Sequence, residues 1–408
     1  MIRCRLPLVL TAVASMLGAC ARGRAASAGP TAHAPPRPDF GNRGAEVLQW
    51  DRAQKLAGFP RMDSLFPARV VARGARVRPL PRGAPLAPFV AGGARAAMLD
   101  SFMVAQETAG LLVLHDGRVR LERYALGHSA EGRWTSFSVA KSVTSTLVGA
   151  AIRDGYIKGL EEPITAYVPE LRGSAYDGVT VRQLLTMTSG VAFNEDYADP
   201  GSDIARLYRS TPPPGMDATV SYMRAMPREA PPGTKWRYKT PETNLAGLLV
   251  MRATAKPLAE YLSEKIWRPY GMEREATWLV DGIGNEQGGC CLNATLRDFA
   301  RFGQFILEGA RIDGRPVVPD DWLAAATTKQ ADIGQPGQGY GYQWWTADGG
   351  TFHARGIFGQ FIHIDPARRL VVAMSSAWPV ATGRAQSQAR LALVAELARA
   401  VDQEAAAR

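Results

Sequence analysis

Trp134-Thr135-Ser136-Phe137-Ser138-Val139-Ala140-Lys141-Ser142 is the stretch from which the rest of the chain can be read. Ser138 and Lys141 stand three residues apart, a spacing that puts two side chains on one face of a helix. The continuation supports that helix. Val139, Val143, Leu147, Val148, Ala151 and Ile152 recur at three- and four-residue steps, and Gly155 supplies a stop. Ser138 therefore falls at the N-cap or in the first turn, near free backbone N–H groups and the positive end of the helix dipole. There a neutral lysine amine can take the proton of a serine hydroxyl, the activation in which lysine replaces histidine. The chain holds eight lysines, and only Lys141 has a serine three positions before it. Taken alone, the tetrad also fits a capping serine and a solvated lysine, so the weight rests on its surroundings.

Those surroundings follow in order. Val181-Arg182-Gln183-Leu184-Leu185-Thr186-Met187-Thr188-Ser189-Gly190 precedes Pro231-Pro232-Gly233-Thr234-Lys235-Trp236-Arg237-Tyr238. Next come the run from Gly288 to Gly303 with Asn293, Arg297, Asp298 and Phe302, the aromatic Tyr340-Gly341-Tyr342-Gln343-Trp344-Trp345, and Ala354-Arg355-Gly356-Ile357-Phe358-Gly359-Gln360. Together they resemble the serine β-lactamase and penicillin-binding protein superfamily in its class C-like form, nearest in pattern to the 6-aminohexanoate-dimer hydrolase-like branch. The resemblance implies an α+β, β-lactamase/transpeptidase-like fold: an antiparallel sheet flanked by terminal helices, with a helical domain inserted. It also implies roles. Ser138 attacks a carbonyl and is acylated, Lys141 is the base, and Tyr238 shuttles a proton to the leaving group. The backbone N–H groups of Ser138 and Ile357 form the oxyanion hole, the latter just after Gly356 on an edge strand where a missing side chain admits substrate.

Two departures bear on substrate. The second box ordinarily reads Tyr-x-Asn, and here Tyr238-Lys239-Thr240 lacks the amide. In the third box Ala354 stands where a cation that grips the substrate carboxylate is expected, with Arg355 between it and Gly356. His353 or Arg355 could substitute, yet a one-residue offset in a strand points the side chain to the other face. Thr240, Arg355 and Gly356 are thus the candidate substrate contacts. The expected activity is hydrolysis of an ester or a linear amide, of a small-molecule or peptide-like substrate. A D-amino-acid peptidase, a weak β-lactamase and a non-catalytic peptidoglycan-binding lipoprotein are the alternatives.

Other chemistries lack their motifs. The sequence contains no Gly-x-Ser-x-Gly elbow, phosphate loop, dinucleotide fingerprint or His-Glu-x-x-His. His33, His115, His128, His353 and His363 are scattered, and neither a metal nor a cofactor is expected. Arginine supplies 40 of the 48 basic residues without a dense run, which gives no support to nucleic-acid binding. Apart from Cys4 and Cys20, the only cysteines are the neighbours Cys290 and Cys291, which read as two small buried residues.

Arg3 and Arg5, the apolar residues 6–17 and Leu17-Gly18-Ala19-Cys20 read as a lipoprotein signal peptide over 1–19 with lipidation at Cys20. The expectation is a periplasm-facing, outer-membrane lipoprotein that meets the membrane only through its lipid anchor; the alternative is a simple secretory signal and a soluble periplasmic or secreted protein. Residues 20–39, rich in Ala, Gly, Arg and Pro, read as a flexible tether. Residues 40–90 read as an extension lying over the domain without a core of its own, and 91–405 as a monomeric hydrolase domain. That domain should open with a hairpin turned at Asp116-Gly117 and close with strands turned at Asp365-Pro366, then a helix from Arg384 to Ala405.

Overall fold

The structure is a computed structural model that describes residues 44–407. The signal peptide, Cys20, the whole tether and the first four residues of the extension lie outside the described residues.

In chain order the strands are β1 (Ala68–Val71), β2 (Thr108–His115), β3 (Arg118–Tyr124), β4 (Arg133–Thr135), β5 (Ala276–Leu279) and β6 (Leu292–Thr295). They continue with β7 (Arg311–Ile312), β8 (Arg315–Pro316), β9 (Gln338–Tyr340), β10 (Trp345–Ala347), β11 (Phe352–Arg355), β12 (Phe361–Asp365) and β13 (Leu370–Ser376). The main sheet has the order β3-β2-β13-β12-β11-β10-β9, antiparallel throughout, so the first and last segments of the domain meet as β2 and β13. Asp116 and Gly117 both take positive φ, which matches the right-handed twist of the β2–β3 hairpin they close.

Both faces of this sheet are covered, and the alternation along its strands shows it. Leu111 and Val113 of β2, with Leu370, Val372 and Met374 of β13, pack against the terminal helices Ala94–Ala105 and Arg384–Ala406. Leu112, Leu114, Val371 and Ala373 point the other way, into the large core shared with the inserted helical region. Such strands read as unbroken apolar runs because neither face meets water.

The inserted region carries the helices Ala140–Arg153 and Thr240–Thr254 side by side within that core. The fold is therefore the expected α+β arrangement. The extension is more than a cover. Its β1 pairs with β5 at the edge of a second sheet, ordered β1-β5-β6-β4. Trp50, Phe59 and Met62 are buried in one cluster with Trp134, Phe137 and Phe358, beside the nucleophile motif.

Candidate active site

Ser138 sits in a one-turn 3-10 helix, Phe137–Val139, that leads directly into the helix Ala140–Arg153. Phe137 has φ +40°, a costly conformation for a bulky residue. Packing holds it there: its ring lies 5.0 Å from Phe59 and 5.3 Å from Phe358. Ser136 is pinned as well, its N–H donating to Leu292 O at 2.8 Å and its Oγ accepting from Leu292 N at 3.1 Å.

Lys141 is 1 % exposed, and its Nζ reaches three acceptors. They are Ser138 Oγ at 2.8 Å, Thr240 Oγ1 at 2.9 Å and the carbonyl of Gly289 at 2.8 Å. The Gly289 carbonyl gets there because its residue has no side chain: a Cβ would lie 2.7 Å from Thr240 O. Burial pulls the Lys141 ammonium well below the usual lysine range, while Glu195 opposes the shift.

Tyr238 precedes the helix Thr240–Thr254, and the Met187 segment positions it. Arg237 N donates to Met187 O at 3.0 Å, and Lys239 N to Met187 Sδ at 3.3 Å. The Tyr238 ring stacks on Trp345 at 5.6 Å, and Lys141 Nζ lies 5.0 Å from its centroid. Ser138 is near enough to the Tyr238 hydroxyl to ease the ionisation of the phenol. Burial, with Glu195 adding to it, pushes the phenol well above the ordinary tyrosine range, so it stays a proton donor near neutral pH. The three residues singled out by the motifs thus converge.

Ser138 and Ile357 both line a cavity of about 280 Å³. Each belongs to the first turn of a short helix, where backbone N–H groups have no partner within the turn. Gly356 departs from the expectation. A Cβ there would lie 2.5 Å from Ser136 O, so the glycine admits the nucleophile turn rather than substrate. Nor is β11 an edge strand along its length. It pairs with β12 throughout and with β10 at Phe352 and His353, and its outer edge opens only at Ala354 and Arg355.

Neither His353 nor Arg355 lines that cavity, although Arg355 is near enough to act on Tyr238. Ala354 points into the main core. His353 pairs with His363 across β11 and β12, and its ring is tilted against Phe361. The Arg355 guanidinium lies 4.8 Å above the Trp345 ring and donates to Gln338 Oε1 at 3.4 Å. The charged residues that do line the cavity are all acidic: Asp217, Asp281 and Glu286. Glu286 is already paired with Arg69 at 2.7 Å. Thr240 lines the cavity beside Ser138.

Two features escape the sequence reading. Cys290 and Cys291 are buried as expected but joined in a vicinal disulfide on the cavity wall, next to the Gly289 carbonyl that meets Lys141. Glu195 carries no motif. It lies in the irregular stretch before the helix Asp203–Arg209, yet its carboxylate accepts from both the N–H and the hydroxyl of Thr240. Only the flanking Asn194 and Asp196, whose short side chains favour turns, hint at an ordered loop. Among the described residues no cluster of His, Cys, Asp and Glu could hold a metal ion, and no helix is long and apolar enough to cross a membrane.

A family model described as beta-lactamase matches residues 96–397. The 6-aminohexanoate-dimer hydrolase of Paenarthrobacter ureafaciens is 31% identical over 362 residues, covering 84% of this chain and 91% of that protein. Esterase EstB of Burkholderia gladioli is 32% identical over 149 residues, 34% of this chain and 37% of its own. Among solved structures, a Bacillus anthracis protein assigned as a 6-aminohexanoate-dimer hydrolase superposes with a TM-score of 0.79 at 24% identity, covering 91% of this chain and 99% of that one.

Proposed function

The chain belongs to the beta-lactamase family, and from that premise we propose that it hydrolyses uncharged esters or linear amides through an acyl-Ser138 intermediate. The observation that carries the reading is the 2.8 Å contact between Ser138 Oγ and the Nζ of a buried lysine. Once Lys141 has lost a proton, its lone pair takes the Ser138 hydroxyl proton as Oγ bonds to the substrate carbonyl carbon. The carbonyl oxygen becomes an oxyanion that the N–H groups of Ser138 and Ile357 stabilise. Tyr238, kept neutral, protonates the leaving group as the scissile bond breaks. The Lys141 ammonium passes its proton back to the Tyr238 phenolate. Water then gives a proton to the Lys141 amine as its oxygen bonds to the acyl carbon, the C–Oγ bond breaks, Oγ takes that proton back, and the carboxylic acid leaves.

Substrate preference follows from charge. Among the described residues, a β-lactam or D-Ala-D-Ala carboxylate finds no cation lining the cavity and meets acidic residues instead. A charge-assisted hydrogen bond is worth roughly 1.5–3 kcal/mol, so its loss costs on the order of ten- to a hundredfold in discrimination. The apolar side chains Val47, Leu48, Met62 and Phe66 suit a hydrocarbon acyl chain.

The test compares kcat/KM for nitrocefin and p-nitrophenyl butyrate on wild type and Ser138→Ala, with fluorophosphonate labelling alongside. Butyrate turnover and labelling should both vanish in the variant. A nitrocefin value of roughly 10⁶ M⁻¹s⁻¹ or above would overturn the substrate reading, and full butyrate turnover by Ser138→Ala would overturn the nucleophile. The chain is further read as exported and lipid-modified at Cys20. Cys20→Ala should then move it from the membrane to the soluble periplasmic fraction, and unchanged partition would refute the anchor.

A further inference from the structure

Lys141 has a neighbour that the serine–lysine–tyrosine scheme does not use. Thr240 stands where the second box ordinarily carries an asparagine, and its hydroxyl accepts from Lys141 Nζ at 2.9 Å. The same hydroxyl donates to Glu195 Oε1, while the Thr240 N–H donates to Glu195 Oε2 at 2.5 Å. Tyr197 adds a hydrogen bond from its hydroxyl to the same carboxylate. The loop bearing Glu195 is fixed on its own account, since Asn194 N donates to Asp203 Oδ2 at 2.7 Å and Asp196 N to Asn194 Oδ1 at 3.0 Å. The carboxylate is thus held by three protein donors, one residue removed from the base.

We infer that Glu195, acting through Thr240, is a positioning residue for Lys141 that aims its amine at Ser138 and stabilises the ammonium formed as Ser138 is deprotonated. The inference rests on the reading of Lys141 as the base. In the step concerned, the Ser138 O–H bond breaks, an N–H bond forms on the Lys141 lone pair, and Oγ bonds to the carbonyl carbon. Positive charge appears on Nζ at the moment the oxyanion appears on substrate. A carboxylate fixed beyond the Thr240 hydroxyl favours that charge without touching substrate. A base oriented by a third, anionic group is the logic of other activated nucleophiles, and here a Thr–Glu pair fills that place.

Burial raises the Glu195 carboxyl and lowers the Lys141 ammonium, and each opposes the other's shift, so the two titrate as a pair. Lys141 is the cation facing Glu195. The phenols of Tyr197, Tyr208, Tyr238 and Tyr340 all lie in its field and all have their ionisation raised, so they stay neutral through mildly alkaline pH. Arg355, the remaining cation nearby, acts on Tyr238.

The experiment measures kcat and KM for p-nitrophenyl butyrate across mildly acid to mildly alkaline pH in Glu195→Gln, Thr240→Val and Thr240→Ser. Glu195→Gln should lower plateau kcat by at least about tenfold, with KM changed by less than about threefold. Its acid limb should move to lower pH, because Lys141 loses the counter-charge that favours its ammonium. Thr240→Val should lower kcat to a similar degree, and Thr240→Ser should recover most of it. A carboxylate that merely braced the loop would lower the rate evenly with the acid limb unmoved, and that result overturns the inference. So does wild-type kcat in Thr240→Val, which decides the matter if Glu195→Gln does not fold. Ser138→Ala in the same series separates the two failures. Turnover surviving there sinks the nucleophile scheme itself, whereas an essential Ser138 beside an unshifted Glu195→Gln profile sinks only the role of Glu195.

Discussion

At the scale of single residues the chemistry turns on one amine. Three acceptors around Lys141 Nζ describe an ammonium, yet a base needs a free lone pair. Burial reconciles the two, since it disfavours the charged form and lowers the lysine pKa. The sign is then fixed: below that lowered pKa the ammonium cannot accept, and above it the neutral amine can. Activity should climb with pH through the lowered value and level off before the pH at which a solvated lysine ionises. Lys141→Arg keeps the cation but cannot release a proton. It should lose more than tenfold in kcat/KM, about 1.4 kcal/mol or more in barrier, and an arginine variant above a tenth of the wild-type rate would remove lysine from the mechanism. Ser138, Lys141 and Tyr238 are legible beforehand because their spacing and flanks are local. Glu195 is not, because only the folded loop brings it to Thr240, 45 residues further along the chain.

Between residues and the whole molecule stand the elements that hold the site, and the nucleophile turn is the most constrained. Phe137 carries positive φ, Ser136 is bonded to β6, and Gly356 leaves no room for a Cβ. Gly356→Ala would drive a methyl to within 2.5 Å of Ser136 O. Its backbone φ of −119° suits alanine, so the clash alone decides the outcome. Overpacking of this kind costs about 1–3 kcal/mol, and the expected result is a lower denaturation midpoint together with weaker fluorophosphonate labelling. A fully labelled, fully stable Gly356→Ala would mean that the turn and β11 are not pressed together. Element boundaries near the motifs are readable from local signals: Gly155 at φ +81° just past the nucleophile helix, and Asp116-Gly117 at the hairpin. The place of β11 inside the sheet is not, because β9 and β10 are three-residue strands joined by an aromatic turn. Segments so short carry no period-2 signal long enough to recognise.

At the scale of the molecule, the main sheet closes on strands from both ends of the domain, and long apolar runs in β2 and β13 announce it. The part played by residues 44–71 is less visible, since a segment with two prolines and few apolar repeats looks like a covering loop. Its aromatic residues do the packing. Phe59 is 0 % exposed and lies 5.0 Å from Phe137, the strained neighbour of Ser138, and 5.4 Å from Phe358, the neighbour of Ile357. One ring therefore braces both residues assigned to the oxyanion hole, from a segment that precedes the family match at residue 96. Phe59→Ala removes it and leaves a void that the surrounding rings can fill only by moving. Stability should fall by about 3–5 kcal/mol, read as a lower urea midpoint with an unchanged slope. Catalysis should fall as well, in kcat more than in KM, because the two N–H groups that receive the oxyanion lose their common support while the cavity wall at Val47, Leu48 and Phe66 remains. A variant that unfolds earlier yet turns over butyrate at the wild-type rate under native conditions would show that the extension stabilises the domain without shaping the site.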